Sequence, residues 1–238
     1  MRSKLIAACL GLAAFVAFAA MPALATAKNT PLVVENGTAV ATGTKILATN
    51  VGITKMTTSL GTIECSTAIL TGTLIKNTTG TVEGNITSAK FGGTGALQAG
   101  AEEPECTTKA ILGGDTTVTP STATNGLPWC VRSTEAMVTD EFQVRGNECA
   151  KAARAIRFAL DVTGIGTCTY ERSAAEPIPG TFTTSTTDSV LTISEVNFPA
   201  VAGNPFGCLG SGKLDMSFTM ETDKTTVPTD FTPLGITS

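Results

Sequence analysis

The sequence of residues 206–220, FGCLGSGKLDMSFTM, nearly matches the pattern of a phosphate-binding loop. Gly207 is followed by four residues and then by Gly212 and Lys213. Such a loop needs a strand before its glycines and a helix after them, because the helix N-terminus holds the phosphates. Here an alternating, strand-like segment follows the lysine, and Leu214 stands where Ser or Thr would bind magnesium. The stretch therefore predicts a flexible turn that leads a disulfide cysteine into a strand.

Few residue types are present that could carry out catalysis. The chain has no His, which excludes Ser–His–Asp and Cys–His arrangements. Acidic residues cluster at two places in the sequence. Glu102, Glu103 and Glu105 form the first cluster, and Asp140 and Glu141 form the second. A sugar cleft between two carboxylates is usually walled with aromatics, and the chain has one Trp and one Tyr. The segment AEEPE is typical of a solvated acidic loop, with weak calcium binding as the functional alternative. We predict no catalytic residue, no cofactor and no metal site.

Six cysteines remain after the first, Cys9, is removed with the N-terminal segment: Cys65, Cys106, Cys130, Cys149, Cys168 and Cys208. An even number in an exported chain favours disulfides. A zinc site would need four widely spaced thiolates, since neither Cys-x-x-Cys nor His occurs. Several pairings are open. We predict bridges between sequence neighbours, Cys65–Cys106, Cys130–Cys149 and Cys168–Cys208, because neighbouring segments usually lie side by side.

The N-terminus has the pattern of a secretory signal peptide. Two basic residues precede an apolar run over residues 5–20, and a small-residue pattern ends at Ala25. The run of about 16 residues is shorter than the roughly 20 of a membrane span. We predict removal of residues 1–25 by cleavage between Ala25 and Thr26, with Ala27 as the second choice and an uncleaved anchor as the alternative. The protein is then secreted or extracytoplasmic and keeps no transmembrane segment.

The mature chain, residues 26–238, is acidic. Without Arg2 and Lys4 it has 14 basic residues against 20 acidic ones, a net charge of −6. Its few basic residues are scattered and form no electrostatic footprint for nucleic acid. We therefore expect no nucleic-acid partner. A partner in the cell envelope or matrix is compatible with export, and the oligomeric state is open.

The composition and the alternating segments predict the fold class. Thr is abundant and suits a pleated surface, and 24 Gly supply turns. Residues 214–221 and 156–162 alternate apolar and polar, which predicts strands with one buried face. For the second of these segments, a short helix over residues 150–155 is the alternative to the strand. Asn36-Gly37 predicts a hairpin turn and residues 177–180 a break between strands. We predict one all-β domain, a β-sandwich or partly closed barrel stapled by disulfides.

Trp129 in the segment NGLPWCV is the most distinctive local feature. It is the only Trp and lies between Pro128 and Cys130. One interpretation is a core aromatic packed over a disulfide, as in many sandwiches. The other is an exposed ring that holds an apolar or sugar ligand.

Three short motifs, LGTIECSTAILTGTL, NGLPW and GCLGSGKL, resemble those of small exported Thr- and Gly-rich bacterial β proteins. Some members of that group are labelled activators of alkane oxidation. The resemblance implies a secreted or surface-associated β protein and supplies no catalytic residue, and the block over residues 132–172 departs from it. We predict a non-enzymatic protein with an interaction or adhesion role in the envelope or matrix. The alternative is a binding module for an apolar or carbohydrate ligand centred on Trp129.

Overall fold

The computed structural model describes residues 32–92, 106–110, 115–121, 126–134, 136–138, 140–162, 164–222 and 232–237, with side chains left out at 108–110 and 115–121. The predicted signal peptide with its cleavage site and the acidic segment at residues 101–105 lie outside the described residues. Within the described ranges, the structure holds no helix with the length and apolarity needed to cross a membrane.

The described residues form seventeen strands and one short 3-10 helix. The strands are β1 (Leu32–Glu35), β2 (Thr38–Ala39), β3 (Lys45–Asn50), β4 (Thr54–Thr58), β5 (Gly61–Cys65), β6 (Thr67–Thr78), β7 (Thr81–Gly92), β8 (Cys106–Ala110), β9 (Asp115–Ser121), β10 (Trp129–Thr134), β11 (Glu141–Gly146), β12 (Ile156–Val162), β13 (Gly166–Arg172), β14 (Ile178–Phe182), β15 (Val190–Pro199), β16 (Ser211–Thr222) and β17 (Thr232–Thr237). The 3-10 helix, Phe206–Cys208, lies between β15 and β16.

Eight strands close into an antiparallel barrel, which we call the first ring. Its order is β3, β6, β7, β10, β11, β14, β15 and β16, and β16 pairs with β3 to close it. The prediction of an all-β, disulfide-stapled fold is confirmed. Of the two architectures expected, the structure has the barrel, and this barrel is closed around its whole circumference.

A second ring of strands shares β15 and β16 with the first. From β16 it continues through β4, β5, β8, β9, β12 and β13. It returns to the end of β15 by an isolated bridge between Tyr170 and Ala200 and by a hydrogen bond of 2.9 Å from Val201 N to Thr169 O. The hairpin of β15 and β16 therefore belongs to both rings.

The length of β16 explains how one strand serves both rings. Leu214, Met216, Phe218 and Met220 are all buried, as the sequence alternation predicts. The part that contains Leu214 pairs with β4, and the part from Phe218 onwards pairs with β3. Because side chains alternate along a strand, one apolar face runs continuously through the cores of both rings.

Aromatic side chains pack where the two rings meet. Phe158, on β12 of the second ring, makes edge contacts with three rings, with centroid distances of 6.2 Å to Phe91, 5.7 Å to Trp129 and 5.1 Å to Phe198. All four residues are buried. Edge-to-face packing at such distances is favourable, so the cluster joins the two cores.

The turns confirm one local prediction and correct another. Asn36 and Gly37 join β1 to β2 with φ values of 49° and 79°, as the hairpin signal predicts. The break expected at residues 177–180 was wrong, because β14 begins at Ile178 and includes Gly180. The ring of Phe142 occupies the space above Gly180 that a Cβ atom would take. Gly180 therefore serves cross-strand packing and does not end a strand.

The strand over residues 156–162 is confirmed, and the alternative short helix over 150–155 is absent. The segment turns at Lys151, whose N–H donates to Glu148 O at 3.0 Å. It then bridges back to the first ring, where Arg154 N donates to Gly146 O at 2.9 Å. These bonds hold the segment against the first ring before β12 begins.

The structure contains three disulfides, and they join the pairs predicted from the sequence. Cys65 is bonded to Cys106, Cys130 to Cys149 and Cys168 to Cys208, with Cα–Cα distances of 4.5, 4.8 and 5.4 Å. These distances are ordinary for disulfides. Two bridges belong to the second ring, and Cys130–Cys149 lies on the wall of the first.

Candidate ligand-binding cavity

The first ring encloses a cavity of about 130 Å³. Every strand of the ring contributes to its wall, and β12 of the second ring adds Phe158. The wall is mainly aliphatic and aromatic, with Trp129, Val131, Phe142, Phe158, Met216 and Met220 among its members. An apolar cavity of about 150 Å³ stays dry and accepts benzene, so this space suits a molecule of about that size. Barrels of eight strands are also just wide enough to hold one small ligand.

Three consecutive strands contribute small residues to the cavity wall: Ala48 on β3, Gly72 on β6 and Gly84 on β7. At Gly72 the close approach of β7 requires a glycine, because an added Cβ atom would collide with the backbone carbonyl of Asn85. Gly84 differs from Gly72 in this respect. A Cβ atom added to Gly84 would meet only the carbonyl oxygen of Thr73, at 3.5 Å, which is ordinary contact. Gly84 therefore has no local backbone or packing constraint that requires glycine, and the missing side chain leaves free space.

Larger side chains form the remaining wall. Phe142 and Phe182 are buried on β11 and β14, and Met216, Phe218 and Met220 are buried on β16. Methionine side chains are flexible and adapt to irregular shapes. A wall of this kind adjusts to ligands of different outline without polar rearrangement.

Trp129 lies on the cavity wall and is buried, with 2% of its surface exposed. It begins β10, after the cis peptide bond between Leu127 and Pro128. The structure therefore does not show the exposed ring of the ligand hypothesis. Its burial agrees with the interpretation as a core aromatic, and its aromatic neighbour there is Phe158, at a centroid distance of 5.7 Å.

The Cys130–Cys149 disulfide lies on the other side of β10. Trp129 belongs to the apolar core cluster, and neither cysteine does. Cys149 N donates to Asn85 Oδ1 at 2.8 Å, and its Sγ lies 3.4 Å from the carbonyl oxygen of Gly84. Because successive side chains of a strand point to opposite faces, Trp129 faces the cavity and Cys130 faces outward.

Three polar residues that border the cavity either have partners or lie at positions that alternate to the outer face. Ser133 is buried, and its hydroxyl donates to Glu141 O at 2.6 Å. Asn85 holds Cys149 on the outer side. Arg132 lies between Val131 and Ser133 and alternates to the outside of β10. The cavity thus offers a ligand mainly apolar contacts.

The remaining sequence candidates lie elsewhere in the described structure. Asp140 precedes β11, and its carboxylate accepts a hydrogen bond of 3.0 Å from Thr184 Oγ1. Glu141 follows in β11, and neither residue lines the cavity. Within the described ranges, no three His, Cys, Asp or Glu side chains come together as metal ligands would.

The stretch that resembles a phosphate loop leads a disulfide cysteine into a strand, as predicted, and the segment before that strand is a 3-10 helix. Gly207 lies in the 3-10 helix, and Gly212 and Lys213 lie inside β16. A strand follows the glycines, so no helix N-terminus faces a phosphate site there. The disulfide cysteine of this turn, Cys208, is bonded to Cys168.

Comparisons with known proteins find no match among family models, curated proteins or solved structures. The resemblance to exported Thr- and Gly-rich bacterial proteins therefore stays a prediction. Sequence reasoning identified Trp129 but missed the cavity itself. The alternation in β16 indicated a buried face, yet nothing local signals that Gly84 and Met216 face a common space.

Proposed function

We propose that the protein is a non-enzymatic binding module that holds one small apolar molecule inside the first ring. The observation that carries this proposal is the cavity of about 130 Å³ with Trp129 on its wall. Its volume suits a single aromatic ring or a short branched hydrocarbon. Ligand sites are typically concave and mostly apolar, and this wall has that composition.

The lining favours an apolar ligand over a carbohydrate. A buried sugar hydroxyl without a hydrogen-bond partner costs free energy, because it loses its bonds to water. Ser133 already donates to Glu141 O, and Asn85 is engaged by Cys149 on the outer side. A hydrocarbon needs no such partner and gains from leaving water.

We also propose that the protein acts outside the cytoplasm. Three disulfides support this, since such bonds persist in oxidising compartments. The signal-peptide pattern of residues 1–25 points the same way. An interaction or adhesion role in the envelope or matrix stays a second prediction, and the exposed side chain of Phe206 favours it.

Iodobenzene titration with Trp129 fluorescence as the readout tests the binding proposal. Trp129 is the only Trp in the chain, so its emission reports one place. We expect saturable quenching, because the heavy iodine atom would contact the indole inside the cavity. Sodium iodide in water should quench little, since only 2% of Trp129 is exposed. A sugar such as maltose should neither quench nor compete.

Two variants separate binding in the cavity from binding elsewhere. Gly84→Val adds three carbon atoms to the wall and should abolish the saturable quenching. Thr49→Val, on the outer face of β3, should bind as the wild-type protein does. Absence of saturable quenching in the wild-type protein would refute the proposal, as would equal quenching of the Gly84→Val variant.

A further inference from the structure

Three of the described connections meet at the end of the second ring where β16 begins, away from the part of β16 that lines the cavity. They are the turn between β4 and β5 with Leu60, the turn between β12 and β13 with Ile165, and the 3-10 helix with Leu209 after it. A Cβ atom added to Gly207 would lie 3.1 Å from Leu60 Cδ2 and 3.3 Å from Ile165 Cγ2. Ser59 Oγ also donates to Gly207 O at 3.0 Å. The three connections are therefore packed together.

The residues at this end expose apolar surface. Phe206 is 91% exposed, Leu209 49% and Ile165 38%, and Leu60 is partly buried beside them. We call these four residues the apolar tip. Single exposed apolar side chains are normal, but several of them on connections that pack together mark an interaction site.

The backbone that carries Phe206 is held in place. Cys208 is bonded to Cys168 of β13, and its N–H donates to Pro205 O at 2.8 Å. Asn204 bonds Thr169 twice, accepting from Thr169 N at 2.9 Å and donating to Thr169 O at 2.8 Å. Phe206 is thus presented by an ordered connection, which reduces the entropy lost on binding.

The tip contains no charge, although the chain as a whole is acidic. Residues 57–62, 164–170 and 199–212 contain no Asp, Glu, Lys or Arg. Insertion of these connections into an apolar medium therefore removes no ionised side chain from water. Charged residues flank these connections, since Lys109, Asp161 and Lys213 lie opposite Thr62, Thr167 and Thr57 in the strand ladders. The four side chains of the tip are themselves uncharged, so an uncharged apolar layer is complementary to them.

We propose that the apolar tip docks on the interface of a zwitterionic lipid bilayer. The protruding ring of Phe206 fits a deformable lipid layer, and Leu209 and Ile165 follow it into the acyl boundary. Because the tip has no basic residues, binding does not depend on anionic lipid. This proposal does not rest on ligand binding in the first ring.

Sedimentation of the mature protein with phosphatidylcholine vesicles tests the proposal. Phe206→Ala should lower the vesicle partition coefficient by about tenfold, because the largest inserted side chain is lost. Val138→Ala is the matched control, since Val138 is 70% exposed in the connection between β10 and β11 of the first ring. It should leave partitioning unchanged, and so should Gly84→Val. Replacing a fifth of the lipid with phosphatidylglycerol should not increase binding.

A second measurement follows the tip directly. A Phe206→Trp variant should show additional emission that is characteristic of exposed indole in buffer and moves to shorter wavelength with vesicles. Failure of the wild-type protein to sediment with vesicles would overturn the proposal. Equal partitioning of the Phe206→Ala variant would do the same. Self-association that Phe206→Ala removes, without vesicle binding, would assign the tip to a second copy of the chain instead.

Discussion

Among the described residues, Tyr170 is the ionisable residue whose pKa its surroundings change most. It lies on β13 inside the second ring, and none of its surface is exposed. Burial raises the pKa of its hydroxyl above the ordinary value of 10.0, and a contact with Thr58 opposes only part of the rise. In the described structure that contact falls short of hydrogen-bond geometry, so the hydroxyl is buried without a full partner. The folded protein therefore favours the neutral phenol.

Replacement of Tyr170 by Phe should change the pH dependence of stability. Since the pKa is raised in the folded state, the contribution of Tyr170 is fully present below pH 10 and is lost as the pH rises towards the raised value. Tyr170→Phe should make the loss of stability above pH 10 shallower. At pH 7 it should change the free energy of unfolding by less than about 1 kcal/mol, because an unpaired hydroxyl is removed.

Urea unfolding at pH 7 and at alkaline pH measures both effects. Thr54→Val is the matched control, since Thr54 Oγ1 is another buried hydroxyl without a partner in the described structure. At pH 7, Thr54→Val should change the free energy of unfolding as little as Tyr170→Phe does. Unlike Tyr170→Phe, it should keep the steep loss of stability at alkaline pH. Titration of the ultraviolet absorbance of tyrosinate reports Tyr170 alone, because the chain has one Tyr. An ordinary pKa in the folded wild-type protein would contradict the prediction.

Strand β10 separates two environments. Its residues Trp129, Val131 and Ser133 face the cavity side, and Cys130 faces the segment that contains Cys149. β10 pairs with β7 on one side and with β11 on the other along most of its length. These two ladders hold the wall of the cavity, and the disulfide holds the outer segment against that wall.

Removal of this disulfide should lower stability but keep the cavity. The double variant Cys130→Ala, Cys149→Ala opens a loop whose ends are 19 residues apart. In the chain-entropy model this lowers the free energy of unfolding by about 3 kcal/mol. Saturable quenching of Trp129 by iodobenzene should persist, since both ladders of β10 remain. Urea unfolding and the same titration check the prediction, and loss of quenching in the folded variant would show that the bridge itself forms the wall.

The two rings share two strands and a continuous apolar core. β15 and β16 belong to both, and Phe158 of the second ring closes the cavity of the first. Unfolding of one ring would expose the shared apolar face of β16 and the aromatic cluster. We therefore expect both rings to unfold together in one cooperative transition.

Phe158→Ala tests this coupling. Loss of the buried ring should lower the free energy of unfolding by about 3 to 5 kcal/mol, because it leaves a void among Phe91, Trp129 and Phe198. Phe206→Ala makes the same chemical change at an exposed site and should stay within about 0.5 kcal/mol of the wild-type protein. Circular dichroism and Trp129 fluorescence should follow one transition. Two separated transitions would show that the rings are independent.

Several features were determined by the sequence alone, because they depend on neighbours along the chain. The period of two in residues 214–221 is enough to indicate a strand with one apolar face, and the structure buries that face. Asn36 and Gly37 tolerate positive φ, which sets the hairpin between β1 and β2. The even number of cysteines and their order made neighbouring disulfides the simplest arrangement.

The choice between a sandwich and a closed barrel depends on contacts between segments that are distant in the sequence. Closure depends on the pairing of β3 with β16, whose residues are about 170 positions apart, as in Thr49 with Thr219. The same closure places Trp129 beside Phe158 and leaves the space at Gly84 empty. Local alternation indicates which face of a strand a side chain lies on. The residues that pack against that face come from segments that are distant in the sequence. A cavity is a property of all the strands that surround it, and for that reason the sequence indicated Trp129 but not the cavity that it lines.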